Sequence, residues 1–252
     1  MSESLVEAAL QPGADVSTTD DAPDFCRSCA LASVCAMVGY GKPELSPLHG
    51  LMEHLGPYRP GETVFRQGDS FDAVFAVRSG LVKTRQLDSQ GREHVLGFFL
   101  PGEVIGLDAI YPNRFPCDAV ALDDSQFCRF PFPAMSALAT HQPAVQRHLF
   151  RLISRQLGMA WVMVGDHSAD ERLAAFLVNL GERYAARGFP ETHFRLCMSR
   201  SDIANYLSLA AETVSRTLTR FRAQSLIEIR GHVLHLCDTP RLRELGRKLL
   251  AA

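Results

Sequence analysis

The sequence predicts an α+β protein of three successive parts: an antiparallel β-sandwich or barrel, a long helix, and a C-terminal helix-turn-helix with a two-stranded wing. Three observations predict it. Between Gly61 and Phe132, short runs rich in Val, Phe and Leu are punctuated by Gly61, Gly68, Gly80, Gly91 and Gly102, a rhythm that suits successive strands and tight turns. After Pro133 the apolar residues switch to helical intervals. From Ser199 onward, two short helical patterns flank a turn and lead into two alternating runs.

Length and composition set the bounds. The chain has 252 residues and is 46% hydrophobic, enough for two packed domains and too apolar for a mainly disordered chain. Residues 1–24 are the exception, rich in Ser and Thr and carrying Asp15, Asp20, Asp21 and Asp24, and read as a flexible lead-in. No basic start precedes an apolar signal core, and no apolar run reaches the roughly 20 residues of a membrane span. A cytoplasmic protein without a membrane partner is the expectation. There thiols stay reduced, so the seven cysteines at 26, 29, 35, 117, 128, 197 and 237 read as ligands or buried thiols rather than disulfides. Charge divides unevenly: from Arg195 to Ala252 ten Lys or Arg face five Asp or Glu, which is +5 and leaves −7 of the net −2 on the first 194 residues. A basic end on an acidic body points to a polyanion.

Within the β region, Val74–Val77, Leu81–Leu87 and His94–Phe99 are the clearest strands. The long helix follows from Val145, Leu149, Leu152, Ile153, Leu157, Ala160, Trp161 and Val164, an apolar stripe wide enough for a partner helix from a second subunit, with packing on its own domain as the alternative. Ser168 with Glu171 has the form of a capping box opening a helix through Leu173, Phe176, Leu177 and Leu180, where a second domain begins. Ser199 with Asp202 repeats that form before Ile203, Ala204, Tyr206 and Leu207. After a turn at Ser208-Leu209, a second helix runs from Ala211 to Ala223, with Val214, Leu218 and Phe221 on its buried side and a poor cap, Ala210. Such a pair lays its second helix in the major groove. On the open face Glu212, Ser215 and Arg216 are neighbours: Arg can fork onto guanine, Glu can accept from cytosine and Ser is adaptable. Arg220 and Arg222 lie nearer the far end, where phosphate contact is expected. Leu226–Ile229 and Val233–Leu236 alternate about Arg230-Gly231 as a wing.

Cys26, Cys29 and Cys35 place three thiols within ten residues, and spacing leaves the fourth ligand open among Cys117, Cys128, Cys197 and Cys237. An iron-sulfur cluster, structural zinc and a dithiol switch are all compatible; Cys197 and Cys237 read as buried, inert thiols in apolar surroundings. No phosphate-cradling Gly-Lys-Ser/Thr loop, Gly-x-Ser-x-Gly elbow or His-Glu-x-x-His helix occurs, so neither an enzyme nor a small-molecule substrate is expected.

The chain resembles, from Cys26 onward, the fumarate and nitrate reduction regulator branch of the cyclic AMP receptor protein superfamily. The marks are C-x2-C-x5-C, Arg78-Ser79-Gly80, Gly97-Phe98, Gly106 to Ile110, Glu171 to Phe176, and Asp202 to Leu207 leading to Glu212-Thr-Val-Ser215-Arg216. The resemblance implies a β-roll or jelly-roll sensor domain over residues 25–140, a dimerisation helix over 141–166 that pairs a homodimer through the apolar stripe, and a winged helix-turn-helix over 167–252. It implies Cys128, just before Arg129-Phe130-Pro131-Phe132, as the fourth ligand beside Cys26, Cys29 and Cys35. It further implies a 4Fe-4S cluster intact without oxygen, TTGAT half-sites in double-stranded DNA read by Glu212, Ser215 and Arg216, control of anaerobic-metabolism genes, and contact with RNA polymerase. The alternatives are a cyclic-nucleotide-responsive or a zinc or thiol-redox regulator of the same superfamily: Gly102-Glu103 would suit a ribose, but Pro116-Cys117 stands where a phosphate-binding Arg-Ser pair is expected, with Arg114 nearby. One departure is that 150–165 contains no Asp or Glu, where the archetype of the branch keeps an acidic residue.

Overall fold

A computed structural model describes residues 52–161 and 165–250. The chain divides into two compact units, one of residues up to Thr84 with Phe98–Ser154, the other of Arg85–Gly97 with the residues from Arg155 on. The α+β class holds.

In the first unit the strands are β1 (Glu53–Tyr58), β2 (Thr63–Phe65), β3 (Ala73–Ser79), β4 (Val82–Leu87), β5 (Glu93–Phe99), β6 (Val104–Ile105), β7 (Asp118–Ala121) and β8 (Ser125–Pro131), with β4 and β5 running on into the second. They form two four-stranded sheets, ordered β1-β8-β3-β6 and β2-β7-β4-β5. Side chains from both sheets, among them Phe65, Phe75, Val77, Val82, Ala119 and Phe127, share one buried cluster, which makes this a sandwich. Strand β3 is buried at five successive residues rather than alternately. Its second face is covered too, because helix α1 (Phe132–His141) brings Met135 and Leu138 into the same cluster. Continuous apolar runs are what such doubly covered strands need.

Gly80 marks the turn between β3 and β4. It holds φ +84, and a Cβ there would run into Ser125 Oγ and the Asp124 carbonyl, so only glycine fits. Helix α2 (Pro143–Trp161) follows. Val145 is buried and Leu149 and Leu152 are half-buried against the sandwich core, whereas Phe150, Ile153 and Leu157 stay exposed at 61%, 38% and 59%.

The second unit is organised by helix α3 (Ala169–Ala185). Ser168 Oγ accepts from the Glu171 amide at 3.2 Å and Glu171 Oε2 from the Ser168 amide at 2.8 Å, the reciprocal box the sequence predicts. Leu173, Leu177 and Leu180 on α3 are fully buried. Helices α4 (Arg200–Tyr206), α5 (Ala211–Ala223), α6 (Thr239–Leu245) and α7 (Arg247–Leu250) follow. Gly246, between the last two, meets the Ala175 backbone so closely that a Cβ would lie 2.8 Å from it. The wing strands β10 (Ile227–Arg230) and β11 (Val233–Leu236) are joined by β9 (His193–Arg195) in a sheet ordered β10-β11-β9. That third strand was not foreseen: three residues, paired with β11 some forty residues later, carry too little local pattern to announce themselves.

Candidate functional site

The candidate DNA-reading surface predicted from the sequence lies on α4 and α5. Ser199 caps α4, its hydroxyl accepting from the Asp202 amide at 2.9 Å and donating to Asp202 Oδ2 at 2.8 Å. The chain turns with Ser208 at φ +55 and enters α5 through Ala210, whose side chain caps nothing. Val214, Leu218 and Phe221 of α5 are buried, as are Ile203, Ala204 and Leu207 on the other side of the turn, so packing fixes one helix on the other.

Glu212, Ser215 and Arg216 are all exposed. In the free protein Arg216 NH2 donates to Glu212 Oε1 at 2.6 Å and Ser215 Oγ to the Ala211 carbonyl at 3.0 Å. Both ends of the ion pair are about three-quarters exposed, so it is worth a few tenths of a kcal/mol and gives way to a better partner. Arg222 is exposed. Arg220 instead bonds to Asp170 at the start of α3, with Thr217 Oγ1 as a second acceptor at 3.2 Å. This tie spans fifty residues and left no local signal.

The described cysteines differ sharply. Cys26, Cys29 and Cys35 lie outside the described residues, as does Val164 of the predicted dimer stripe; Ala160 and Trp161 lie in the last turn of α2. Cys128 sits in β8, 3% exposed, opposite His54 on β1 and Ala76 on β3. Its Sγ is 3.9 Å from His54 Nδ1, which also meets Arg78 NH1 at 2.9 Å. Cys117 precedes β7 and is 1% exposed. Burial, then the carboxylates of Asp108 and Asp118, push its thiol far above the ordinary range; Sγ donates to Asp108 Oδ2 at 3.6 Å. A thiol held neutral among carboxylates is a poor metal ligand; the Cys128 sulfur instead has the His54 imidazole beside it. The reading of Cys197 and Cys237 as buried thiols needs correction: Cys197 is half-buried and Cys237 is exposed, because it lies just past the end of β11, on the bend before α6. Among the described residues, no three His, Cys, Asp or Glu side chains converge on a metal position.

Where the sandwich could take a nucleotide, Glu103 turns inward and its Oε2 accepts from the Leu100 amide at 2.9 Å. Arg114 NH1 is bonded to the Gly68 carbonyl at 3.0 Å. The Asp108 and Asp118 carboxylates beside Cys117 would face any phosphate placed there.

Known proteins share this organisation. The cyclic nucleotide-binding domain family matches residues 56–142 and the Crp-like helix-turn-helix domain residues 171–245. The chain is 41% identical over 224 residues to the transcriptional activator protein Anr of Pseudomonas protegens, covering 88% of this chain and 92% of that one. It belongs to the Crp/Fnr family. Against the fumarate and nitrate reduction regulatory protein of Escherichia coli the identity is 35% over 88% of this chain and 90% of the other. Among solved structures, FixK2 from Bradyrhizobium japonicum superposes with a TM-score of 0.68 at 29% identity, covering 77% of this chain and 96% of that one.

As a Crp/Fnr protein the chain is a DNA-binding transcription regulator, with α5 the second helix of its helix-turn-helix. Among its described residues no helix is long and apolar enough to cross a membrane.

Proposed function

We propose that this Crp/Fnr regulator is a cytoplasmic homodimer that answers to oxygen through a 4Fe-4S cluster held by Cys26, Cys29, Cys35 and Cys128. Its intact-cluster form binds TTGAT-type half-sites and, with RNA polymerase, activates anaerobic-metabolism genes. When bound, the cluster supplies an oxygen-labile centre. The observation that carries this reading is the contrast between the two buried thiols of the sandwich: Cys128 beside the His54 imidazole, Cys117 between the carboxylates of Asp108 and Asp118. Four thiolates make a complete ligand set for such a cluster, and the relatives named transcriptional activator and fumarate and nitrate reduction regulatory protein support it. Glu212, Ser215 and Arg216 read bases, Arg222 and the basic C-terminal third meet phosphates, and Arg220 reaches phosphate only by leaving Asp170. Subunit pairing falls to the predicted stripe, through Ile153 and Leu157, which α2 leaves exposed, and Ala160, Trp161 and Val164, while Leu149 and Leu152 are shared with the sandwich core. One subunit packing favoured over another is a population shift, and dimerisation sets two reading helices one duplex turn apart.

Oxygen-free purification followed by iron and sulfide analysis and a visible spectrum tests the reading. Protein that comes out colourless and iron-free sinks it. Cys128→Ala abolishes cluster assembly and Cys117→Ala leaves it intact; the reverse pattern overturns the ligand assignment. The match to cyclic nucleotide-binding domains keeps a second reading in view, and calorimetry with cyclic AMP separates the two. The carboxylates around Cys117 predict no heat of binding.

A further inference from the structure

The hairpin of β4 and β5 ends in a tip, Arg85–Gly97, that belongs to the same compact unit as the helix-turn-helix. The tip is rigid. Asp88 Oδ1 accepts from the amides of Gln90 and Arg92 at 2.8 and 2.9 Å, Asp88 Oδ2 meets Arg92 Nε at 2.7 Å, and Arg85 pairs with Glu93 at 2.9 Å across the two strands. Among the described residues strand β5 is the last of its sheet, and its outer amides and carbonyls face no further strand there.

Asn205, in the last turn of α4, closes that edge. Its Oδ1 accepts from the Val95 amide at 2.7 Å and its Nδ2 donates to the Glu93 carbonyl at 2.6 Å. One carboxamide thus makes the pair of bonds that a residue of an added parallel strand would make to the residues flanking His94. An amide donor and an amide acceptor are both required, which also fixes the orientation of the Asn205 group. Aspartate would lose the donor and set a carboxylate against the Glu93 carbonyl. Alanine would leave both backbone groups to water.

We propose that Asn205 is the positioning residue of the reading surface: by closing the β5 edge it holds α4, and through the packed turn α5, on the β4–β5 hairpin. The clamp leaves Glu212, Ser215 and Arg216 exposed, so it orients the reading helix rather than hiding it. A preorganised helix loses less freedom on binding duplex DNA. The inference rests on the DNA-reading role of α5 and stands apart from the cluster.

The test uses the full chain, prepared without oxygen, and a duplex carrying two TTGAT half-sites. Asn205→Ala and Asn205→Asp weaken binding roughly three- to tenfold, the range two hydrogen bonds allow, and keep the wild-type slope of log affinity against log salt, since no phosphate contact is removed. In both variants the Val95 amide exchanges at least about tenfold faster with solvent, while the buried amides of Leu218 and Leu234 keep their protection and report an intact fold. In the wild-type complex with DNA, Val95 stays protected. Unchanged or tighter binding by both variants overturns the proposal, as does loss of Val95 protection when the wild type binds DNA, which would mean that Asn205 leaves the strand for the duplex. If the wild-type chain ignores this duplex, the half-site assignment fails, and exchange at Val95 in the free protein and its variants still decides the clamp.

Discussion

Cys117 and Cys128 stand eleven residues apart in the same sandwich, and burial alone does not separate them. Neighbours do. Two carboxylates raise the cost of ionising Cys117 on top of desolvation, while the neighbour of the Cys128 sulfur is the His54 imidazole. Reactivity follows the thiolate. In native protein at pH 8, iodoacetamide therefore modifies the exposed Cys237 and leaves Cys117 untouched until the chain is unfolded, as peptide mass spectrometry reads directly; labelling of native Cys117 at the rate of Cys237 contradicts the assignment. The sequence marks these residues unequally. Cys128 is carried by the motif that follows it; Asp118 is the chain neighbour of Cys117, but Asp108 reaches it only through the fold, and no spacing rule exposes that. Arg220 is a second case: its partner Asp170 is fifty residues distant, so a helix-face reading assigns it to phosphate.

At the level of elements, local chemistry was the most readable part. Ser168 with Glu171 and Ser199 with Asp202 predict two helix starts, and both boxes form. The strands Ala73–Ser79, Val82–Leu87 and Glu93–Phe99 are long enough for their pattern to show, whereas β2, β6 and β9, of three, two and three residues, are defined by distant partners. The α3 box also carries a pH signature. A hydrogen bond from Lys248 at 2.8 Å, followed by those from Ser168, lowers Glu171 from 4.5 to about 2. A depressed carboxyl stabilises the fold above its unfolded value and loses that contribution as pH falls through the folded one. Glu171→Gln should therefore melt below wild type at neutral pH, with the gap closing between about pH 4.5 and 2; a gap independent of pH across that window would remove the carboxylate from the explanation. Lys248→Ala narrows the same gap, since it removes the first cause of the shift.

Across the whole molecule, the uneven charge and the change of period at Pro133 made the order of parts legible, but not which face of α2 is spent on its own core. Leu149 and Leu152 turn out to pack on the sandwich, and among the described residues the exposed large apolar side chains of α2 are Phe150, Ile153 and Leu157, at intervals of three and four residues that align them along one side of the helix. Large apolar side chains in that arrangement are stabilised by a partner helix, each contributing about 1.5–3 kcal/mol when fully covered. No acidic residue between positions 150 and 165 sets like charges against one another as two such helices approach. The charges in that stretch are Arg151 and Arg155, which fall outside the i, i+3, i+7 line of Phe150, Ile153 and Leu157, so association along that line meets no acidic repulsion for a cluster to overcome. The cluster-free chain is accordingly expected to sediment largely as a dimer at micromolar concentration, and Leu157→Glu, which buries two carboxylates in that interface at several kcal/mol each, to sediment as a monomer with an unchanged circular dichroism spectrum. A clean monomer for the wild-type chain after exposure to oxygen would show that something other than charge keeps these helices apart, and would return control of pairing to the four cysteines.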